Sequence, residues 1–146
     1  MECGAKWKSH LANTVLKEQY VQRGINSVLK MKKCDTLPEV MVEKKLKDNN
    51  INYIKQYKVC NKYLVDFYLP DKNIIIEVFG DYWHVNPNIY GYDKKPLNEY
   101  QKSKVNKDEL KIKTLKSNGY ELFILWEYDI HNNLTEIITP IINLYP

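Results

Sequence analysis

Asp66 and Glu77 each interrupt an apolar run, and His84 follows in the polar segment after the second run. The two runs are Tyr63–Leu69 and Asn73–Phe79, in which a plain β-strand would carry another Val or Ile. An unpaired buried carboxylate is costly, so a carboxylate in mid-strand usually has a partner, and a divalent cation is a common one. The histidine adds an imidazole whose unperturbed pKa lies near neutrality. These groups are typical of a metal-dependent hydrolytic site.

Three predicted strands lead to His84. Alternating and β-branched residues predict them over Tyr53–Val59, Tyr63–Leu69 and Asn73–Phe79, and the short links between them predict an antiparallel meander. Whether Asp66 and Glu77 lie on the same face of this sheet depends on the register of the strands, which the sequence leaves open.

Helices and one more strand complete the predicted fold. Thr36 is a predicted N-cap, with Pro38 in the first turn and Glu39 completing a capping box. A helix that crosses over before the last strand makes that strand parallel to a neighbour. We therefore expect an α/β fold with a four-stranded mixed sheet flanked by helices. The further predicted elements are helices from Leu37 to about Lys47 and from Asn98 to Ser117, a strand over Tyr120–Trp126, and a closing segment over Asn133–Leu144 kinked at Pro140.

Glu43 lies on the first of these helices, on an arc predicted to face inward with Val40, Val42 and Leu46. A glutamate on the inner arc is unusual. It either pairs with Lys47 at the rim or points at the catalytic site.

Asp108 lies on the apolar stripe of the next helix, three residues after Val105 and four before Ile112. A carboxylate at this position is either paired inside the fold or aimed at the catalytic centre.

Basic residues are concentrated in two windows although the net charge is only +4. Residues 1–33 hold seven Lys or Arg against two acids, and residues 94–117 hold eight Lys against three acids. Such segregation favours a polyanion partner, although a lysine-rich composition alone would also produce solvated lysines. We expect a basic arm or helix over residues 1–36, with a helix around His10–Gln22, ahead of a catalytic domain over residues 37–146. The predicted phosphate contacts are Lys102, Lys104, Lys107 and Lys111.

Tyr82 and Trp83 directly precede His84, at the start of a long loop that extends to Leu97. Aromatic side chains beside a catalytic group can stack on bases or insert between them. Alternatively, Trp83 covers the edge of the sheet.

The bulk composition excludes several classes of protein. With 44% hydrophobic and 27% charged residues in 146, the chain is predicted to be globular, and it has no apolar run of about 20 residues that would cross a bilayer. Three widely spaced cysteines predict reduced thiols and not a disulfide or zinc framework. We expect a soluble protein of the cytoplasm without a membrane partner.

An ordered set of motifs resembles the Vsr-like (very short patch repair) branch of the PD-(D/E)xK nuclease superfamily. The resemblance covers about Leu37 to Glu127. The set Glu43, Asp66, His84 and Asp108 is similar to the EDxHD pattern of phage intron-encoded homing endonucleases. The motifs are Asp66, then IIIEVFGDYWH, then Lys107-Asp108 ahead of Asn118-Gly119-Tyr120, then Leu125-Trp126-Glu127.

This resemblance implies a restriction-endonuclease-like core and a Mg²⁺-dependent phosphodiesterase that acts on double-stranded DNA. It implies that Asp66 ligates the metal, that His84 is the general base, that Asp108 orients His84 and that Glu43 holds metal-bound water. Phe79 stands where most of the superfamily has a lysine.

The sequence departs from the repair enzymes at two points. Glu77 is a second candidate metal ligand, although the repair enzymes use a backbone carbonyl at the position of Val78. Their zinc-binding His and Cys residues are also missing, so we expect no zinc. These departures favour a homing endonuclease over a repair enzyme. We expect the protein to be encoded by a phage and to act inside the bacterial host. The alternatives are a mismatch-repair or restriction-type endonuclease and a non-catalytic nucleic-acid-binding module. Oligomeric state, target sequence and nicking versus double-strand cutting are left open.

Overall fold

A computed structural model describes Gln22 and residues 35–91 and 93–146 of the chain. The basic arm predicted over residues 1–36 lies outside these residues, apart from Gln22, Asp35 and Thr36. The described elements are helix α1 (Leu37–Asp48), strands β1 (Ile54–Val59), β2 (Tyr63–Leu69) and β3 (Ile74–Phe79), helix α2 (Glu99–Ser117), strand β4 (Glu121–Trp126) and helix α3 (Glu127–Ile142).

The four strands form a mixed sheet in the order β1-β2-β3-β4. The first three are antiparallel neighbours joined by short turns, and β4 is parallel to β3 because α2 crosses over between them. Strand β3 therefore has a partner on each side. Its residues Ile74, Ile75 and Ile76 are all fully buried, which is typical of a strand covered on both faces.

Helices cover both faces of the sheet. Ile74 and Ile76 pack in one apolar cluster with residues of α1 and α3, whereas Ile75 packs in a second cluster with Leu115 of α2. Successive strand residues point to opposite faces, so these clusters lie on the two sides of β3. The predicted α/β fold, a four-stranded mixed sheet flanked by helices, is confirmed. Within the described part of the chain, no helix is long and apolar enough to cross a membrane.

Helix α3 differs from its prediction. It begins at Glu127, with Glu127 and Asp129 in the first turn, where acidic side chains interact favourably with the helix dipole, and a kink at Asn133 separates this added part from the predicted closing segment. The non-helical residue is Asn133, with φ of −140° and ψ of 30°, whereas the predicted kink was at Pro140.

The buried arc of α1 also differs from its prediction. Its buried residues are Pro38, Glu39, Val42 and Leu46, while Val40 is 46% exposed. Val40 and Val42 are two residues apart and so point in nearly opposite directions on a helix that turns about 100° per residue. Glu39, three residues before Val42 and seven before Leu46, therefore occupies the inner arc.

Glu43 joins α1 to β1 at the edge of the domain. Its carboxylate accepts hydrogen bonds from the Tyr53 hydroxyl at 2.6 Å and from the Lys55 ammonium at 3.0 Å, and it pairs with Lys47 at 3.1 Å. These contacts, with that from Tyr53 the largest, lower the pKa of Glu43 from 4.5 to about 2. Of the two alternatives for Glu43, the structure shows the pairing with Lys47.

Because the pKa of Glu43 is depressed in the folded state, its ion pairs stabilise the fold above pH 4.5, and this contribution is lost as the pH falls towards 2. We predict that Glu43→Gln lowers the free energy of unfolding at pH 7 by roughly 1 kcal/mol, allowing for solvent screening. Urea unfolding between pH 2 and pH 7 measures this difference, which shrinks towards acid pH. Glu136→Gln is the exposed control, and a constant difference for Glu43→Gln would contradict the prediction.

Candidate active site

A cleft of about 430 Å³ opens beside the ends of β2 and β3. It brings together Asp66, Glu77, His84, Trp83 and Lys111, all of which were predicted site residues. Asp108 contacts the cleft through His84. We call this the carboxylate cleft; its lining residues are Thr36, Pro38, Glu39, Gln56, Leu64, Asp66, Glu77, Val78, Gly80, Trp83, His84, Lys111 and Glu127.

Asp66 and Glu77 are the residues just beyond the last pair of the β2–β3 ladder. That pair is Phe67 with Ile76. At this point the Asp66 carboxylate replaces a backbone partner, since its Oδ2 accepts a hydrogen bond from the Val78 N–H at 2.8 Å. The two carboxylates, whose relation the sequence left open, therefore line the same cleft.

Glu77 is buried and forms an ion pair with Lys111 of α2; its side chain is 6% exposed. The same ammonium donates a hydrogen bond to the Leu64 carbonyl at 2.8 Å. Lys111 was predicted to grip phosphates on the surface, but the structure places its ammonium in the wall of the cleft. A buried carboxylate without such a partner would be strongly unfavourable, so Lys111 compensates the charge of Glu77.

His84 and Asp108 form a hydrogen-bonded pair across the cleft wall. His84 Nδ1 lies 2.7 Å from Asp108 Oδ2, although the two residues come from a loop and from the middle of α2. The imidazole stacks on the Phe79 ring with 3.9 Å between centroids, and the backbone N–H of His84 donates to the Gly80 carbonyl. These contacts fix the plane of the imidazole and the position of its loop.

Asp108 is nearly buried and accepts a second strong hydrogen bond, from Lys104 at 2.6 Å. Burial raises the pKa of this carboxyl, but the hydrogen bonds from His84 and Lys104 outweigh burial and leave the pKa below its ordinary value. The group is therefore an ionised acceptor at neutral pH, and the His84 nitrogen that faces it must carry a proton. Lys104, predicted to bind phosphate, instead holds this carboxylate.

Glu39 lies in the cleft where the sequence predicted Glu43, the first acidic residue of the set Glu43, Asp66, His84 and Asp108. Glu43 does not line the carboxylate cleft, whereas Glu39, one turn earlier on the same helix, does. Glu39 is 5% exposed, and its Oε2 accepts hydrogen bonds from the backbone N–H and the hydroxyl of Thr36, each at 2.8 Å. The predicted capping box of α1 is thus also part of the cleft wall.

Glu39, Gln56 and Glu127 line the cleft without having been predicted as site residues. Glu39 was recognisable from its spacing to Val42 and Leu46. Gln56 of β1 contacts Asp66, which only the pairing of the hairpin reveals. Glu127 follows strand β4 and accepts a hydrogen bond from the backbone N–H of Asp81 at 3.2 Å, so it anchors the start of the His84 loop.

Exposed aromatic side chains border the cleft. Tyr82, Trp83 and Tyr100 are 46%, 58% and 56% exposed, and the Trp83 ring meets both tyrosine rings edge to face. We call these three residues the aromatic rim. Such exposed aromatic area beside a polar cleft suits stacking on a flat ligand.

The four lysines that were predicted to bind DNA fall into two groups in the structure. Lys104 and Lys111 are held by Asp108 and Glu77 in the site, as described above. Lys107 is exposed, and Lys102 is 58% exposed in an ion pair with Glu99 at the start of α2. Of the four, these latter two present their charge to solvent.

The arrangement can activate water and bind a cation. The protonated Nδ1 of His84 leaves Nε2 as an acceptor for a proton, and the carboxylates of Asp66 and Glu77 are oxygen ligands of the kind that Mg²⁺ prefers. Mg²⁺ needs only one or two protein carboxylates. Among the residues described, no group of three or more His, Cys, Asp or Glu side chains could hold a metal ion; the expectation of no zinc stays a prediction.

A solved structure described as the "Homing Endonuclease I-Bth0305I Catalytic Domain" is similar to this chain. The TM-score is 0.51 and the sequence identity is 28%, over 73% of this chain and 91% of that chain. The sequence matches no protein-family model and no curated protein. Similarity to a homing endonuclease catalytic domain, together with the α/β fold and the carboxylate cleft, supports a nuclease.

Proposed function

We propose that this chain is a divalent-metal-dependent endonuclease that hydrolyses phosphodiester bonds in double-stranded DNA, as a homing endonuclease. The observation that carries the proposal is the His84–Asp108 pair, 2.7 Å apart, in the same cleft as the carboxylates of Asp66 and Glu77. A base and a cation-binding carboxylate on one cleft are the two groups that phosphodiester hydrolysis needs. The similarity to a homing endonuclease catalytic domain supports the same reaction.

His84 is the general base of this proposal. Asp108 accepts a hydrogen bond from the Nδ1–H of His84 and keeps the imidazole in the tautomer whose Nε2 lone pair takes a proton from the attacking water. The developing imidazolium is then stabilised by the carboxylate at 2.7 Å. Lys104 limits how far Asp108 can turn away, because it bonds the other carboxylate oxygen.

Asp66 is the residue that would hold Mg²⁺, and Glu77, whose Oε1 is paired with Lys111, would be a further ligand. When bound, Mg²⁺ would stabilise the negative charge that develops on the phosphate. Lys111 brings a positive charge to the same wall of the cleft, where a phosphate group would be attracted. We therefore assign the metal first to Asp66 and treat Glu77 as a further ligand.

Glu39 takes the place that the sequence assigned to Glu43. It lines the cleft on the side of Thr36 and Pro38, and its carboxylate is already oriented by the two hydrogen bonds from Thr36. A fixed acceptor in the cleft wall can orient a water molecule for attack. Glu43 instead stabilises the fold through its contacts with Tyr53, Lys55 and Lys47.

The aromatic rim and the exposed lysines form the proposed DNA surface. Tyr82 and Trp83 offer ring faces and edges for bases, while Lys102 and Lys107 on α2 offer charges for phosphates. Since α2 carries Asp108 as well, binding at this surface places the backbone of the DNA near the His84–Asp108 pair.

We predict that Asp66→Asn and His84→Ala each lower the rate of Mg²⁺-dependent nicking of supercoiled plasmid by at least about 100-fold, because they remove the cation ligand and the base. Gel assays with Mg²⁺ and with EDTA measure the rate. Wild-type protein that binds plasmid tightly but does not cut varied DNA would support the non-catalytic binding module instead.

Two glutamates one turn apart on α1 form a matched pair for the same assay. Glu39→Gln, which retains a capping-box side chain, is expected to lower the rate by about 10-fold or more, whereas Glu43→Gln leaves it nearly unchanged. Thermal melts verify that both variants are folded. Equal losses in the two variants, or a loss in Glu43→Gln alone, would contradict the assignment of Glu39.

Lys111→Met leaves the buried Glu77 carboxylate without its cation, and we expect it to lower the free energy of unfolding by about 3 kcal/mol. The double variant Glu77→Gln/Lys111→Met is expected to regain most of this loss, because no charge remains buried. Urea unfolding of the two single variants and the double variant gives the coupling energy. A coupling energy below about 0.5 kcal/mol would contradict the conclusion that Lys111 compensates the buried charge of Glu77.

Neutralising the exposed lysines tests the DNA surface. In the His84→Ala background, Lys102→Gln/Lys107→Gln is expected to reduce the slope of log K against log salt concentration by about 1 for each phosphate that the protein no longer neutralises. Fluorescence anisotropy of labelled duplex DNA at several salt concentrations measures the slope. Lys72→Gln in the β2–β3 turn is the control, and an unchanged slope in the double variant would exclude Lys102 and Lys107 from the DNA surface.

A further inference from the structure

Gln56 has a left-handed backbone conformation in the middle of a strand. Its φ is 49°, although it lies inside β1 and is neither glycine nor asparagine. The other described non-glycine residues with positive φ lie in turns and loops. They are Asn50, Cys60, Asn61, Asn73 and Val85. A side chain in this conformation costs free energy, and such strain persists where the surrounding structure imposes it, often at functional sites.

The conformation coincides with a reversal of faces in the β1–β2 pair: Phe67 packs in the apolar cluster with α1 and α3, whereas Val65, two residues earlier, packs with Leu115 of α2. Lys55 pairs with Phe67 before Gln56, and Tyr57 pairs with Val65 after it, so the register is the same on both sides and no residue is inserted. Gln56 and Asp66 lie between these two pairs, where the regular pairing is interrupted. The left-handed residue therefore belongs to the point at which the two strands exchange faces, and this point lies in the cleft.

The side chain of Gln56 lines the carboxylate cleft and contacts Asp66 there. Its Nε2 donates to Asp66 Oδ1 at 3.4 Å, while Asp66 Oδ2 accepts the Val78 N–H at 2.8 Å. Both strands that neighbour β2 therefore donate a hydrogen bond to the Asp66 carboxylate. Strand β1 donates from the side-chain amide of Gln56, and β3 donates from the backbone N–H of Val78. A carboxylate oxygen has two lone pairs, so a hydrogen bond to it does not prevent it from binding a cation.

The two carboxylates are held by chemically different partners. Glu77 is bonded to the Lys111 ammonium, which cancels its charge, whereas the amides of Gln56 and Val78 orient Asp66 and bring no charge. An amide donor can therefore fix the rotamer of a carboxylate without competing with a cation for its charge.

We propose that Gln56 is a positioning residue, whose strained backbone aims its amide at Asp66 and fixes the carboxylate in the orientation that receives the divalent cation. This inference rests on the proposed function, because it assigns the cation to Asp66. It adds that part of the stability of β1 is given up to orient that ligand.

Two substitutions separate the strain from the amide. Gln56→Gly removes both, since glycine adopts positive φ freely, and it is expected to raise the melting temperature while weakening Mg²⁺ binding. Gln56→Met keeps the length of the side chain and the strain but removes the donor, so it is expected to weaken Mg²⁺ binding without raising the melting temperature. Loss of an outer partner of a metal ligand typically weakens binding by about 10- to 100-fold.

The matched control is Cys60→Gly. Cys60 has a φ of 52° directly after the same strand and does not line the cleft. The variant is expected to gain thermal stability in the same way as Gln56→Gly, with no change in Mg²⁺ affinity.

The readouts are the affinity for Mg²⁺ alone, by isothermal titration calorimetry, the melting temperature, and the split between kcat and KM in plasmid nicking. We expect lower affinity and kcat in both Gln56 variants, with KM for DNA unchanged. Wild-type affinity and kcat in Gln56→Met would overturn the role of the amide while leaving the nuclease intact. A wild-type protein that neither binds Mg²⁺ nor cuts DNA would overturn the proposed function, and this inference with it.

Discussion

Two carboxylates that line one cleft from neighbouring strands impose the main electrostatic constraint on this domain. Like charges at adjacent positions of a sheet repel, and the repulsion grows as water is excluded. Asp66 and Glu77 coexist because the surrounding elements each supply a compensating group. Helix α2 supplies the Lys111 ammonium, which pairs with Glu77. Strand β3 supplies the Val78 N–H and β1 supplies the Gln56 amide, which both donate hydrogen bonds to Asp66. The order of the strands and the crossover of α2 are what bring these three groups to one place.

Helix α2 packs against the domain through polar groups as much as through apolar ones. Its buried residues are Gln101, Asp108 and Leu115, and Lys104 and Lys111 reach inward one turn to either side of Asp108. An amphipathic helix normally buries an apolar stripe. Here the inner stripe is partly replaced by the groups that hold His84 and Glu77, so its polar pattern indicates a site and not a solvated face.

The elements of the fold were predictable because β2, β3 and β4 are largely apolar runs, β1 and β2 are joined by a short link, and α1 begins with a capping box. The site was less predictable. Asp66 and Glu77 are identifiable as carboxylates in strands, but their juxtaposition depends on a register that no local pattern specifies. The predicted inner arc of α1 combined Val40 with Val42 and so included Glu43, whereas the buried arc of the structure includes Glu39 and leaves Val40 exposed. The φ of Gln56 is set by tertiary contacts, so nothing in its sequence neighbourhood indicates it.

Thr36 and Asp35 are the residues through which the upstream chain enters this domain, and both are tied to it by side chains. Thr36 bonds Glu39 in the cleft wall, and Asp35 forms an ion pair with Lys55, which also bonds Glu43. Thr36 is therefore separated from the cleft wall by a single turn of helix. A displacement of Thr36 is transmitted to the Glu39 carboxylate through their two hydrogen bonds.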